Sequence, residues 1–295
     1  MSPDPDVTID GFLETAWSDH GDRAQDVADR LAASFHLVRA PGDVAPFARL
    51  LTHVYGEHLG LWSRGVDLLA SLHGRSGLDA DSAAVRSIHI GIATLRYGNG
   101  DASALDALAA EDRMTVLANA SSALAARGDA PRAIVAYERA LQTAQGASAL
   151  GTPAMRSLAA GGNNLAVALE GKSDRSPSES LAMLSAAEAA LAYWKQVGTW
   201  LEEERAEYRL ARSRLQAGEA SAATQSAARC VDVCDRNAAP SFEQFFAHSV
   251  LACAHRAAGD VASFETHRQA ALRHLGQLSD DEKPRCENER KELEG

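Results

Sequence analysis

Apolar and small side chains recur at every third or fourth position along most of the chain, which is the period of an amphipathic helix. The clearest example lies between Arg113 and Ala144, where the pattern predicts two helices joined at Gly128 and Asp129. One face of the first helix carries Leu117, Ala120, Ser121 and Leu124. One face of the second carries Ala133, Tyr137, Ala140 and Leu141. This segment is therefore predicted to be a helical hairpin.

Glycines near the ends of these periodic segments indicate that the hairpin is repeated. Glycine adopts the positive φ angle needed just past a helix end without steric cost. Successive glycines of this kind are 30 to 47 residues apart, at Gly21, Gly60, Gly98, Gly128, Gly171, Gly218 and Gly259. The spacing predicts about fourteen helices in about seven antiparallel hairpins, including a helix at 101–110.

Composition supports an all-α fold. Hydrophobic residues make up 46% of the 295 residues, but aromatic residues make up only 5%. The apolar content is mostly alanine and leucine, the strongest helix formers, whereas β-branched residues are sparse. Interfaces made of alanine also let neighbouring helices approach closely. The sequence therefore predicts a chain that is helical almost throughout.

The hairpin at Arg113–Ala144 resembles a tetratricopeptide repeat. The small residue Ser121, the turn at Gly128 and the series of Ala133, Tyr137, Ala140 and Leu141 match the signature of that family. The resemblance implies a right-handed superhelical solenoid with a concave groove lined by the first helix of each pair. It divides the chain into divergent hairpins at 1–110, tetratricopeptide-type repeats at 111–278, and a charged tail or cap at 279–295.

The C-terminal half also resembles the longer repeats of kinesin light chains. The similarity lies in the sequence NNLAVAL at 163–169 and in YWKQVG, which follows Ala190 and Leu191. The loop GKSDRSPSES is several residues longer than in those repeats.

Four residues are candidates for peptide binding. Asn119, Asn164 and Arg209 are spaced 45 positions apart, and each precedes a pair of packing residues in the first helix of its hairpin. In the tetratricopeptide family this position faces the groove, and an asparagine there often bonds the backbone of a bound peptide. Arg205 lies one turn before Arg209 on the same helix face. The two arginines resemble part of the clamp that holds a peptide carboxylate, since a guanidinium can bind a carboxylate through two parallel hydrogen bonds.

The sequence departs from the carboxylate clamp at two positions. The other lysine and asparagine of the clamp would fall on Ala118 and Ser122. The alternative for the arginines is pairing within their own helix, where Glu203 and Glu207 are close in sequence.

The net charge of the chain limits the classes of partner that it is expected to bind. The formal net charge is −11, which disfavours binding to nucleic acid or to an anionic membrane surface. The N-terminus MSPDPDVT lacks the basic and apolar regions of a signal peptide, and no apolar run is long enough for a membrane span. We expect a cytoplasmic protein, and its richness in alanine and preference for arginine over lysine are typical of GC-rich bacterial genomes.

Nothing in the sequence predicts catalysis, a metal site or a cofactor. Cys230 and Cys234 share a helix face, but Cys230 occupies the position of a small core residue and no zinc-binding spacing is present. The stretch ALEGKS lacks the glycine that a phosphate-binding loop needs at Ala166. The ten histidines form no recognisable catalytic frame, although partners distant in sequence could still meet in the fold.

The sequence thus favours a non-catalytic scaffold, adaptor, chaperone or regulator that binds a protein or peptide in its groove. A peptide- or small-ligand-sensing regulator that changes superhelix curvature is the main alternative. Assembly into homo-oligomers through the ends of the array and an enzyme with a site inside the solenoid are the others.

Overall fold

The computed structural model describes residues 8–75, 82–147 and 149–294, and within these ranges the chain is all-α, as the sequence predicts. The described residues form fourteen α-helices and no β-strand. None of these helices combines the length and the hydropathy that a membrane span requires. The α-helices, numbered α1 to α14 in chain order, are Ile9–Asp19, Ala24–Ala33, Pro41–His53, Trp62–Arg75, Ala83–Gly98, Ala110–Ala126, Ala130–Gln145, Thr152–Glu170, Pro177–Val197, Trp200–Gln216, Ala220–Arg236, Ser241–Ala257, Val261–Leu275 and Glu287–Glu294.

Four shorter segments interrupt or connect the α-helices. Three are 3₁₀ turns, at Phe35–Leu37, Ala102–Leu105 and Lys283–Cys286, and the fourth is a π-helical turn at Val54–His58. The helix predicted at 101–110 is wrong, because only the 3₁₀ turn forms there. The Asp101 carboxylate accepts hydrogen bonds from the Ser103 N–H and hydroxyl groups, at 3.0 and 2.6 Å, and holds this segment in a tight turn.

The chain divides into two compact units, an N-terminal unit at Met1–Ser157 and a C-terminal unit at Leu158–Gly295, with the boundary inside α8. In the N-terminal unit α3 and α4 pack against α5, α5 packs against α6, and α6 and α7 form a hairpin. Its core includes Phe47, Leu69 and Ile88. The buried Tyr55 hydroxyl donates a hydrogen bond of 3.0 Å to the Ala28 carbonyl, which ties the π-helical turn to α2.

In the C-terminal unit each helix packs against the next, from α9 through α13. Two of the pairs, α10 with α11 and α12 with α13, are hairpins, and α10 also packs against α12. The final helix α14 packs on α12, where Leu293 and Cys286 are buried with Phe245. Helices therefore pair in sequence order in both units, which agrees with a solenoid-like all-α fold.

The hairpin turns share one backbone geometry. After α6, α10 and α12 a glycine adopts a positive φ angle: Gly128 (77°), Gly218 (77°) and Gly259 (78°). The N–H of the residue after the glycine donates a hydrogen bond to the carbonyl five residues earlier, which is the Schellman arrangement. At Gly218, for example, the Glu219 N–H lies 2.9 Å from the Arg214 carbonyl oxygen. Gly60 also has positive φ, whereas Gly21 and Gly171 do not.

Gly98 differs from the prediction because it lies inside α5, and Gly100 takes the left-handed position instead. Glycine at position 98 serves close packing instead, because a Cβ atom there would lie 2.5 Å from the ring of Trp62.

The turn after α11 has the same geometry but no glycine. Ala238 takes the left-handed position with φ of 47°, and the Ala239 N–H bonds the Cys234 carbonyl at 3.0 Å. Because a left-handed conformation costs an alanine about 1–2 kcal/mol, Ala238→Gly should raise the free energy of unfolding by about 0.5–1 kcal/mol. Gly218→Ala at the equivalent turn should lower it by about 1 kcal/mol. Urea denaturation of the three proteins measures both changes, and a destabilised Ala238→Gly protein would contradict the prediction.

Candidate functional site

Helix α10 carries a row of long polar side chains on one face. It begins at a capping box in which the Thr199 N–H donates a hydrogen bond of 2.7 Å to the Glu202 carboxylate. Arg205, Tyr208 and Arg209 then follow at spacings of three and four residues, which places them on the same side of the helix.

These side chains line a pocket in the C-terminal unit, which we call the α10–α12 pocket. Its volume is about 290 Å³, at the small end of the range for ligand pockets. Helices α8, α10 and α12 and the 3₁₀ turn before α14 contribute its lining: Asn163, Glu204, Arg205, Tyr208, Arg209, Phe242, Glu243, Phe246 and Arg285.

Two of the three arginines in the pocket are bound to carboxylates of neighbouring helices. The Arg205 guanidinium donates to Glu243 on α12 at 2.5 Å, and the Glu243 side chain is 8% exposed. Arg209 pairs with Glu170 at the end of α8, and the Ser213 hydroxyl donates to the same carboxylate at 2.6 Å. These ion pairs join α10 to its neighbours, so the two arginines contribute to packing as well as to the charge of the pocket.

The third arginine, Arg285, is exposed and stacks on the ring of Phe242, with 5.0 Å between the guanidinium carbon and the ring centroid. Among the described residues no carboxylate forms an ion pair with it. Phe242 and Phe246 lie one turn apart on α12, 5.1 Å between ring centroids, and Tyr208 meets Phe246 edge to face. The pocket therefore combines an aromatic wall with a guanidinium that is available to a ligand.

The surroundings of one carboxyl group at the pocket, that of Glu204, raise its pKa. Glu204 is 1% exposed, accepts a hydrogen bond of 3.1 Å from the Cys230 thiol, and has no partner for its Oε2 atom. Desolvation, and then the nearby Glu243 carboxylate, raise the pKa of Glu204 to about 8. Three arginines and two glutamates line the pocket, and the raised pKa of Glu204 favours its neutral form, so positive charge predominates there.

The C-terminal helix lies against the same face of α10. The Tyr208 hydroxyl donates a hydrogen bond of 2.8 Å to Glu289, and the Arg212 guanidinium pairs with Glu292. Leu293, one residue further along α14, is 1% exposed. Helix α14 is thus an acidic helix that bonds this face of α10 and buries an apolar side chain against α12.

The structure brings together two of the four predicted binding residues. Arg205 and Arg209 line the α10–α12 pocket, and their partners are Glu243 and Glu170 rather than carboxylates of their own helix. Asn164 lies half-buried on α8, and its neighbour Asn163 is the one that lines the pocket. Asn119 is half-buried on α6, in the N-terminal unit.

Sequence reasoning missed most of the other lining residues. The spacing of Phe242 and Phe246 was a visible signal, because residues four apart share a helix face. Arg285 gave no signal, since it lies in a tail with no periodic pattern. The partners Glu170 and Glu243 are 39 and 38 residues from their arginines, so only the packing of the helices pairs them.

Seven of the ten histidines lie in two clusters, which the sequence did not predict. In the C-terminal unit His248, His255, His267 and His274 form a stacked row, with 3.0 Å between the Nδ1 atoms of His248 and His267. Desolvation, and then the neighbouring histidines, lower the pKa of His248 to about 4. In the N-terminal unit His20, His53 and His58 converge, and within the described part of the chain they are the group placed to hold a metal ion.

Cys230 and Cys234, considered above as metal ligands, are fully buried between α11 and its neighbours, and all four cysteines are free thiols. Comparison with models of known protein families gives no match to this chain, and comparison with curated proteins gives none either.

The raised pKa of Glu204 predicts a specific dependence of stability on pH. The unfolded chain loses this proton near pH 4.5 and the folded chain keeps it to about pH 8, so rising pH favours unfolding across that interval. Glu204→Gln removes this effect. The free energy of unfolding of the variant, relative to the wild type, should therefore increase by roughly 2–4 kcal/mol between pH 5 and pH 8. Urea denaturation at a series of pH values tests this, and a difference independent of pH would contradict it.

Proposed function

We propose that this chain is a non-catalytic binding protein of the tetratricopeptide-repeat type that holds a peptide segment of a partner protein. The segment would place a carboxylate beside an apolar side chain in the α10–α12 pocket. The observation that carries the proposal is the exposed Arg285, which stacks on the aromatic wall without a carboxylate partner among the described residues.

The charge of the pocket favours an anionic ligand. The chain as a whole has a net charge of −11, yet arginines exceed charged carboxylates among the residues that line this pocket. A carboxylate bound to Arg285 would form charge-assisted hydrogen bonds, which contribute about 1.5–3 kcal/mol. An apolar neighbour in the ligand would pack on Phe242 and Phe246.

The contacts of α14 support the same ligand chemistry. This helix presents Glu289 to Tyr208 and Glu292 to Arg212, and it buries Leu293. The molecule therefore already binds one acidic amphipathic segment of its own beside the pocket. A partner segment of similar composition would make contacts of the same kind.

The sequential pairing of helices and the recurring Schellman turns agree with the resemblance to tetratricopeptide repeats. On that resemblance the bound segment would lie in the concave groove of a solenoid. The four free thiols agree with a protein of the cytoplasm, where thiols stay reduced.

A peptide- or small-ligand-sensing regulator is the second candidate. The volume of about 290 Å³ favours it, because this space accommodates a small carboxylate compound or one peptide terminus rather than a long helix. A small-angle X-ray scattering curve that changes when a small carboxylate ligand is added would show a change of shape, which distinguishes this function from a rigid scaffold.

Arg285→Ala is the variant that tests binding in the pocket. Arg205 and Arg209 are unsuitable, because their removal leaves the Glu243 or Glu170 carboxylate buried without a cation and destabilises the fold. Peptides would be selected on the wild-type chain from a random library with free C-termini. We expect enrichment of acidic residues or terminal carboxylates next to apolar residues. The affinity of a selected peptide should fall about 10–100-fold for Arg285→Ala, as measured by fluorescence anisotropy.

Arg236→Ala is the matched control, since Arg236 is an exposed arginine of the same unit outside the pocket. It should leave both affinity and melting temperature unchanged. Equal affinity of the Arg285→Ala and wild-type chains, or selection of peptides without carboxylates or apolar residues, would contradict the proposal.

A further inference from the structure

Three histidines from separate segments of the N-terminal unit meet at one point. His20 follows the end of α1, His53 ends α3, and His58 ends the π-helical turn. Their ring centroids are 5.0, 4.9 and 4.8 Å apart, so the three rings form a nearly equilateral triangle. Each of the three residues is half-buried, which leaves the centre of the cluster accessible to a small ion.

The ring nitrogens are spaced as ligands of one metal ion would be. One nitrogen from each histidine lies within 4.8 Å of the other two, and the Nε2 atoms of His53 and His58 are 3.1 Å apart. Imidazole nitrogens bind Zn²⁺ at about 2.0–2.1 Å, so two of them on a tetrahedral ion are about 3.3 Å apart. The His53–His58 pair has nearly this spacing. The His20 nitrogen lies within 4.8 Å of the other two and would move closer on binding.

Outer hydrogen bonds fix which nitrogen carries the lone pair in two of the three rings, those of His20 and His53. The Nδ1 atom of His20 lies 2.5 Å from the Trp17 carbonyl, and the Nδ1 atom of His53 lies 3.1 Å from the Glu57 carboxylate. Because a carbonyl and a carboxylate only accept hydrogen bonds, both Nδ1 atoms must be donors. Both Nε2 atoms then carry a lone pair. That of His53 accepts a hydrogen bond from the Nε2 of His58, which a metal ion bound there would replace. Carbonyl and carboxylate partners of this kind orient histidine ligands in metal sites.

The π-helical turn is what brings His53 and His58 together. In an α-helix, residues five apart are separated by about 140° around the axis, so the two rings would diverge. The turn at Val54–His58 closes an i→i+5 hydrogen bond of 3.1 Å from the Leu59 N–H to the Val54 carbonyl. Such turns are rare and occur frequently at functional sites.

Two further contacts hold the cluster in place. The Arg127 guanidinium donates a hydrogen bond of 2.8 Å to the His58 carbonyl, which anchors the end of the π-helical turn. The ring of Trp17 lies 5.1 Å from that of His20 and 5.2 Å from that of His53. Trp17 thus forms one wall of the cluster, and its fluorescence offers a local probe.

We propose that His20, His53 and His58 form a binding site for one divalent transition-metal ion, with Zn²⁺ as the best-suited ion. Three neutral imidazoles suit Zn²⁺, Co²⁺, Ni²⁺ and Cu²⁺, and Glu57 supplies negative charge behind His53. Three protein ligands leave a fourth position for water or a small anion. The proposal is independent of peptide binding, since every residue it uses belongs to the N-terminal unit.

The test uses the full chain without a histidine tag, stripped with EDTA and titrated with ZnCl₂ by isothermal calorimetry. We expect saturable binding of one ion per chain. Co²⁺ should give the visible absorption of a low-coordinate site. Quenching of tryptophan fluorescence by Cu²⁺ should reach its end point at one ion per chain. His53→Gln and His58→Gln, which keep the side chains close to their size, should each weaken Zn²⁺ binding at least 100-fold.

Glu57→Gln removes no ligand but weakens the outer hydrogen bond to His53, so it should weaken binding about 10–100-fold. His36→Ala, which changes an exposed histidine of the same unit, is the matched control and should bind as the wild type does. His267→Ala controls for the histidine row of the C-terminal unit and should also bind normally. The absence of saturable binding, unchanged affinity in folded His53→Gln and His58→Gln proteins, or loss of binding in His267→Ala alone would overturn the proposal.

Discussion

Close approach of neighbouring helices is the constraint on which the rest of this structure depends. Alanines such as Ala133, Ala211 and Ala252 are fully buried at the helix interfaces. At several glycines of the N-terminal unit a methyl group would collide with a neighbour, as at Gly65, Gly91 and Gly98, where a Cβ atom would lie 2.5 to 2.6 Å from a neighbouring side chain. Small interface residues thus allow pairs of helices to stack without a large aromatic core.

Close packing of the helices also buries some polar side chains. Glu204, Glu207 and Glu243 are all less than 10% exposed in the C-terminal unit. Glu207 is paired with Lys195 and Arg229, each at 2.9 Å, and Glu243 is paired with Arg205, whereas burial raises the pKa of Glu204. A buried carboxylate needs a cation or a proton, because burial without either is costly. Arg205 and Arg209 therefore neutralise buried carboxylates. Arg285, the third arginine of the pocket, is in a position to bind a ligand.

Both candidate sites lie where regular helix geometry ends. The α10–α12 pocket needs Arg285 from the 3₁₀ turn before α14, and the histidine cluster needs the π-helical turn after α3. Helix interiors are occupied by packing between neighbours, so their side chains are rarely free. Where the backbone departs from the α-helix, it directs side chains such as Arg285 and His58 toward residues of other helices, and both candidate sites use such a side chain.

The sequence by itself determined most of the helices, the hairpins α6–α7, α10–α11 and α12–α13, and their glycine turns at Gly128, Gly218 and Gly259. It also determined that Arg205 and Arg209 share a face, because helix period and turn chemistry are local properties of the backbone. Only the tertiary structure decided which carboxylates neutralise those arginines, that Arg285 reaches the pocket, and that His20 meets His53 and His58. These contacts depend on how helices tens of residues apart pack together. They also depend on a π-helical turn that changes the angle between successive side chains around the helix axis. No local sequence pattern encodes either property.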